Sequence, residues 1–133
     1  MKIMIFVTDT HSLCWFLSQD RHLSENARNC FLDAEKGESM IIVPTMVMAE
    51  LFWILERKKQ YLLKFNEALG KIISHKNYSI VPLTLTIIEN LSKMPEEFEL
   101  HDSFLVLTSQ IYDAKLITKD EIITKSGIVD TIW

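Results

Sequence analysis

Glycine and proline are scarce, with three of each in 133 residues, and no Ser/Gly-rich stretch, low-complexity tract or internal repeat breaks the chain. That excludes a linker, a solenoid or a disordered arm as an organising feature. The chain reads as one domain over residues 1–133, large enough to bury roughly two-thirds of its unfolded surface. Only two cysteines occur, Cys14 and Cys30, both inside apolar helical patterns. A disulfide-stapled secreted scaffold is thereby excluded, and reduced, buried thiols in a cytoplasmic protein are expected. No apolar run is long enough to cross a bilayer, because the longest in the helical region, Met46–Leu55, is broken by Glu50. The opening Met1–Val7 is too short for a secretory signal, lacks a small-residue cleavage site, and reads as a first strand. Excess positive charge is missing too: the formal net charge is −4, which excludes a broadly basic nucleic-acid-binding surface. Once the four carboxylates singled out below are discounted, the remaining surface is balanced. Local basic patches stay open at Arg57-Lys58-Lys59 and at Lys71, His75 and Lys76, runs that serve equally well as solvated helix ends.

What is present is an alternation of two periodicities. Ile3–Val7, Met40–Val43, Tyr78–Val81, Lys115–Thr118 and Ile128–Ile132 are short apolar or β-branched runs that read as strands. Leu23, Ala27, Phe31 and Ala34 recur at helical spacing behind a Ser24 cap and before Gly37, a complete start-and-stop signature. Thr45, after Pro44, reads as the cap of a helix over Met46–Lys59, and Leu62, Phe65, Leu69 and Ile72 as one face of a helix ending near Ser74. A shorter helix follows Thr84. Asp102 stands at the start of the Phe104–Ile111 segment, and Asp120 precedes a helical turn closed by Gly127. Strands alternating with helices imply a parallel sheet covered on both faces.

In such a sheet, residues just after a strand and residues opening a helix share one edge, the edge that hosts ligands. Asp9 follows the first strand, Asp120 follows the fourth, Asp102 opens the helix leading into the fourth, and Glu50 lies about one and a half turns into the helix after the second. All four converge without special folding. Taken singly, Asp9, Asp102 and Asp120 each stand where a helix N-cap would stand. Glu50 does not, and it interrupts a segment apolar nearly all round, so it reads as a buried carboxylate, which is costly unless it is protonated, paired or bound to a cation. An ion among these acids offsets both that burial and their mutual repulsion. Oxygen donors without a Cys or His cluster point to Mg2+ or Mn2+ and not to zinc. No Cys or His forms a recognisable nucleophile–base arrangement. His101, His11, Thr10 and Ser12 stand beside the acids as secondary candidates for phosphate or water contacts, and structural roles suit them as well.

These residues resemble those of PIN domains, in particular the VapC-type toxins of prokaryotic toxin–antitoxin pairs. The resemblance runs over essentially the whole chain. It rests on Val7-Thr8-Asp9-Thr10-His11-Ser12-Leu13 with Trp15, on Val43-Pro44 leading to Ala49-Glu50-Leu51, on His101-Asp102-Ser103-Phe104, on Leu116-Ile117-Thr118-Lys119-Asp120, and on the closing Val129-Asp130-Thr131-Ile132-Trp133. It implies a three-layer α/β/α fold with a five-stranded parallel sheet, a magnesium or manganese site, RNA as substrate, homodimerisation and an antitoxin partner. It implies further that Asp9 and Asp102 anchor the principal ion, Glu50 binds or orients its water, and Asp120 completes the pocket or supports a second ion. Two rivals share the length and the acids: a receiver-type signalling domain with a magnesium pocket, and a PIN-like module that binds RNA or protein without cutting. Receivers resemble one another in paired acids after the first strand and an Asp after the third, whereas Thr8-Asp9-Thr10 offers one acid and Val81-Pro82-Leu83 none.

Overall fold

Strands with no polar face have to be covered from both sides, and Val7, Ile41, Val43, Leu116 and Ile117 are each fully enclosed. The computed structural model describes residues 3–133; Met1 and Lys2, placed at the head of the first strand by the sequence reading, lie outside the described residues. The elements follow in the order β1 (Met4–Thr8), α1 (Thr10–Leu17), α2 (Glu25–Glu35), β2 (Ser39–Pro44), α3 (Thr45–Arg57), α4 (Phe65–Ser74), β3 (Tyr78–Val81), α5 (Leu85–Glu89), a 3-10 turn (Leu91–Lys93), α6 (Leu100–Ile111), β4 (Lys115–Ile117), α7 (Glu121–Ser126) and β5 (Thr131–Ile132). The sheet runs β3-β2-β1-β4-β5 with every pair parallel. This is the three-layer α/β/α arrangement expected from the alternation of strands and helices. It also removes the receiver reading, whose sheet follows the order 2-1-3-4-5. No helix among the described residues is long and apolar enough to cross a membrane.

The chain lays β2 and then β3 to one side of β1, and returns through α5 and α6 to place β4 on the other side. Val7 is therefore in register with Ile42 on one flank and with Leu116 on the other. The reversal of direction makes the carboxyl end of β1 a topological switch point, where the crossover connections part and leave a crevice. Local chemistry delivers the helices to that edge. Ser24 caps α2 by accepting the Ala27 N–H at 3.1 Å, and Thr84 caps α5 through the Ile87 N–H at 3.4 Å. Gly127 closes α7 with φ of 69°, a left-handed conformation that glycine adopts at least cost.

Three expectations need correction. Thr45 does not cap α3: it is the first helical residue, and Pro44 ahead of it makes no side-chain cap bond. Leu62 is not on the inner face of α4, since it lies before that helix and is 97% exposed. The residues between α3 and α4 reverse the chain, and Glu56 Oε1 accepts the Phe65 N–H at 3.3 Å, so α4 opens only there. Glu50 is not enclosed in an all-apolar helix. The outer face of α3 carries exposed Phe52 and Trp53, and the Glu50 side chain is 35% exposed. The apolar run was wider than the stripe the core needs, because a helix with one side against the sheet leaves the other to solvent.

The difference between Leu51 and Leu62 is measurable. Leu51 is fully buried, so Leu51→Ala is expected to lower unfolding stability by about 2–5 kcal/mol, while Leu62→Ala stays within about 0.5 kcal/mol of the parent. Urea denaturation of both variants checks this, and equal losses would return Leu62 to the core.

Candidate functional site

The carboxyl ends of β1 and β4 are tied together where the Asp9 N–H donates to the Ile117 carbonyl at 3.2 Å. Asp9 and Asp120, each just past one of those strands, are thereby brought to the same edge. Both serve as helix caps. Asp9 Oδ1 accepts the Ser12 N–H at 2.9 Å, and Asp120 Oδ1 accepts the Ile123 N–H at 2.9 Å. A cap occupies one carboxylate oxygen, so capping and facing a ligand are compatible roles for the same residue. Asp102 differs. The helix begins two residues before it, at Leu100, with Glu99 in the cap position, and the Asp102 side chain makes no capping bond. It looks from the first turn of α6 into an open cavity of about 440 Å³ that Asp9, Glu50 and Asp120 also line.

Glu50 enters the cavity from α3 and is held at both oxygens. The Thr10 hydroxyl donates to Oε1 at 2.9 Å, and His101 Nδ1 lies 3.2 Å from Oε2. Those contacts take the place of the lysine or arginine that the Met46–Leu55 segment around Glu50 lacks. His101 is thus no loop residue: it sits in the first turn of α6 with a defined partner. Glu97 and Glu99 also line the cavity and were not singled out by the sequence reading. The acidic run Glu96-Glu97-Phe98-Glu99 directly ahead of His101-Asp102 was the signal available for them.

Crowding acids under partial burial changes their titration. Asp102 is pushed up to about 6, first by desolvation, then by the negative charges of Asp120, Glu99 and Asp9, with His101 pulling the other way. The helix N-terminus favours the ionised form of Asp102, and burial with three acidic neighbours outweighs it. Asp9 is also raised, again chiefly by desolvation, against hydrogen bonds from Ser12 and Thr118 and the charge of His11. Neither basic patch compensates for this. Lys71, His75 and Lys76 lie at the approach to β3, the opposite edge of a parallel sheet, and Arg57–Lys59 do not line the cavity.

The sequence of residues 6–127 matches the family model of the PIN domain. The chain belongs to the PIN-domain family. No curated protein matches it in sequence. In structure, this PIN domain is similar to VapBC2 from Rickettsia felis bound to a DNA fragment from its promoter, with TM-score 0.68 and 15% identity over 96% of this chain and 97% of the other. It is also similar to the sarcin–ricin-loop-cleaving toxin VapC20 of Mycobacterium tuberculosis, with TM-score 0.67 and 14% identity over 97% and 99% of the two chains. A toxin–antitoxin complex from Klebsiella pneumoniae aligns with TM-score 0.64 and 16% identity over 96% and 95%. At such identities the likeness is one of fold.

PIN domains are a family of nucleases, and the donors of this PIN domain suit a hard divalent ion: the cavity carries carboxylates and no thiolate. Among the described residues no three His, Cys, Asp or Glu side chains are gathered closely enough to form a finished metal site. The acids line the cavity as separate walls.

The raised Asp102 predicts a pH dependence whose sign is fixed. Its folded value of about 6 lies above the ordinary 3.8, so between those values the folded state holds a proton that the unfolded chain releases. Stability then falls as pH rises through that window, and the penalty is complete above about 6. In EDTA, Asp102→Asn is expected to melt at or above the wild type above pH 6, with its advantage shrinking toward pH 4. A melting series showing the advantage growing as pH falls would contradict the assignment.

Proposed function

We propose that this PIN domain is a metal-dependent endoribonuclease, the toxin of a type II toxin–antitoxin pair, acting as a single domain in the cytoplasm. One observation carries the reading: Asp9, Glu50, Asp102 and Asp120, from four separate elements, line one open cavity at the switch point of a nuclease-family fold. Asp9 and Asp102 would hold a magnesium or manganese ion, and Asp120 would complete its acidic surroundings. When bound, such an ion lowers the pKa of water and stabilises negative charge on a phosphoryl group under attack. Glu50, held by Thr10 and His101, would orient that water and accept its proton. Hydrolysis in this manner leaves a 5′-phosphate and a 3′-hydroxyl.

The proposal includes a homodimer and an inhibiting protein partner. Two of the similar structures are of toxin–antitoxin assemblies, which supports the partner. The buried, unpaired thiols of Cys14 and Cys30 suit a reducing compartment.

Purified protein is expected to cut RNA with magnesium or manganese and to stop in EDTA. Asp9→Asn, which still caps α1, is expected to lose more than the roughly 10–100-fold that removal of an outer-shell partner costs a metal enzyme. The wild type should also gain about 2.7 kcal/mol of stability at an ion concentration a hundredfold above the dissociation constant, and Asp9→Asn should lose that response. Undiminished cleavage in EDTA, or an Asp9→Asn variant with both ion response and activity intact, would sink the mechanism.

A further inference from the structure

The cavity walls hold six carboxylates, those of Asp9, Glu50, Glu97, Glu99, Asp102 and Asp120, and no lysine or arginine. No side chain in that lining offers a phosphate a fixed positive charge. Attachment of a nucleotide here has to draw on contacts other than direct ion pairing.

One wall is built for such contacts. His11 and Trp15, one turn apart on α1, both line the cavity, and their rings meet at 5.6 Å between centroids with planes tilted by 52°. Trp15 has two further ring neighbours. The His22 ring stacks on it at 5.4 Å with 30° between planes, and Trp133 meets it at 5.9 Å, tilted by 59°. His22 is held in turn by Asp20, whose Oδ1 lies 2.6 Å from Nδ1. Trp15 is half-buried, while His11 is exposed. The cluster is therefore a run of contacting rings with an exposed imidazole at either end, His22 outside the cavity lining and His11 within it, two residues along the chain from Asp9. A core cluster would be closed off at this point. This one ends on solvent beside the acids.

We propose that His11, backed by Trp15, is the platform on which the nucleobase beside the cleaved phosphate stacks. This rests on the ribonuclease reading and assigns it a base-contacting residue. In a helix each base has both faces covered by its neighbours, and only an unstacked base presents a face to a side-chain ring. Stacking of this kind tolerates any base, because every base has a π-face. It also needs no charge on the imidazole.

The test measures binding apart from cleavage. The affinity of the full chain for a short labelled single-stranded RNA is read by fluorescence anisotropy, with calcium as the divalent ion, for the wild type, His11→Ala and His11→Phe. The same measurement is made on RNAs carrying one abasic residue at each position in turn, and on a duplex of the same sequence. His11 is exposed and alanine favours helix, so the variant retains its fold. The expected result is a loss of about fivefold or more in His11→Ala, restored in His11→Phe, and abolished at one abasic position. The duplex should bind more weakly than the single strand. A loss that persists on every abasic RNA, or that phenylalanine fails to restore, would mean a phosphate contact and overturn the platform. Unchanged affinity in His11→Ala while magnesium-dependent cleavage continues overturns the platform and leaves the nuclease reading standing. A wild type that neither binds nor cuts RNA overturns both.

Discussion

The hydrogen bond from the Asp9 N–H to the Ile117 carbonyl, 3.2 Å long, is the constraint on which the site depends. It joins the carboxyl ends of two strands more than a hundred residues apart in the chain, and it does so at the point where the order of the sheet reverses. Everything that reaches the cavity is hung from that junction. Asp9 and Asp120 leave the two joined strands directly, and α3 and α6 bring Glu50 and Asp102 in from the flanks. The packing beneath is tight: Val7, Leu13, Val47, Leu51, Leu116 and Ile123 are all fully enclosed. A shift of one residue in the register of β1 against β4 would exchange side chains between the two covered faces of the sheet and part the acids.

A helix N-terminus needs an acceptor for its free N–H groups. Asp9 and Asp120 supply it with one oxygen each, at 2.9 Å, while still lining the cavity. Asp102 is released from capping by the early start of α6, and its carboxyl consequently feels desolvation and its neighbours without a compensating local bond. Glu50 reaches the same place by another route, pinned between a hydroxyl and an imidazole. The electrostatic load of the cavity is thus shared between local hydrogen bonds and partial exposure, with no lysine or arginine in the lining.

Much of the fold was legible because its signals are local. Ser24 and Gly37 bracketed α2, Thr84 announced α5, and Gly127 closed α7, each through backbone chemistry that acts within a few residues. Periodicity went wrong where the apolar pattern was richer than the core. Leu62 continued the spacing of Phe65, Leu69 and Ile72, yet the chain was still turning after α3, and nothing in a spacing rule registers the room a reversal needs. The enclosure expected of Glu50 failed for the same reason: Phe52 and Trp53 widened the apolar run without being covered.

The sequence by itself determined the alternation of strands and helices and the placing of Asp9, Asp102 and Asp120 at element ends. These follow from residue type and short-range spacing. The tertiary structure alone decided which carboxylates are caps as well as cavity walls, that Thr10 and His101 hold Glu50, that Glu97 and Glu99 join the lining, and that His11, Trp15, His22 and Trp133 form one run of contacting rings. The cap bonds and the His11–Trp15 contact join near neighbours, while the grip on Glu50, the closure of Trp133 on Trp15 and the shared cavity depend on distances between residues far apart in the chain. Such distances are set by how the helices pack across the sheet, and no local pattern carries them.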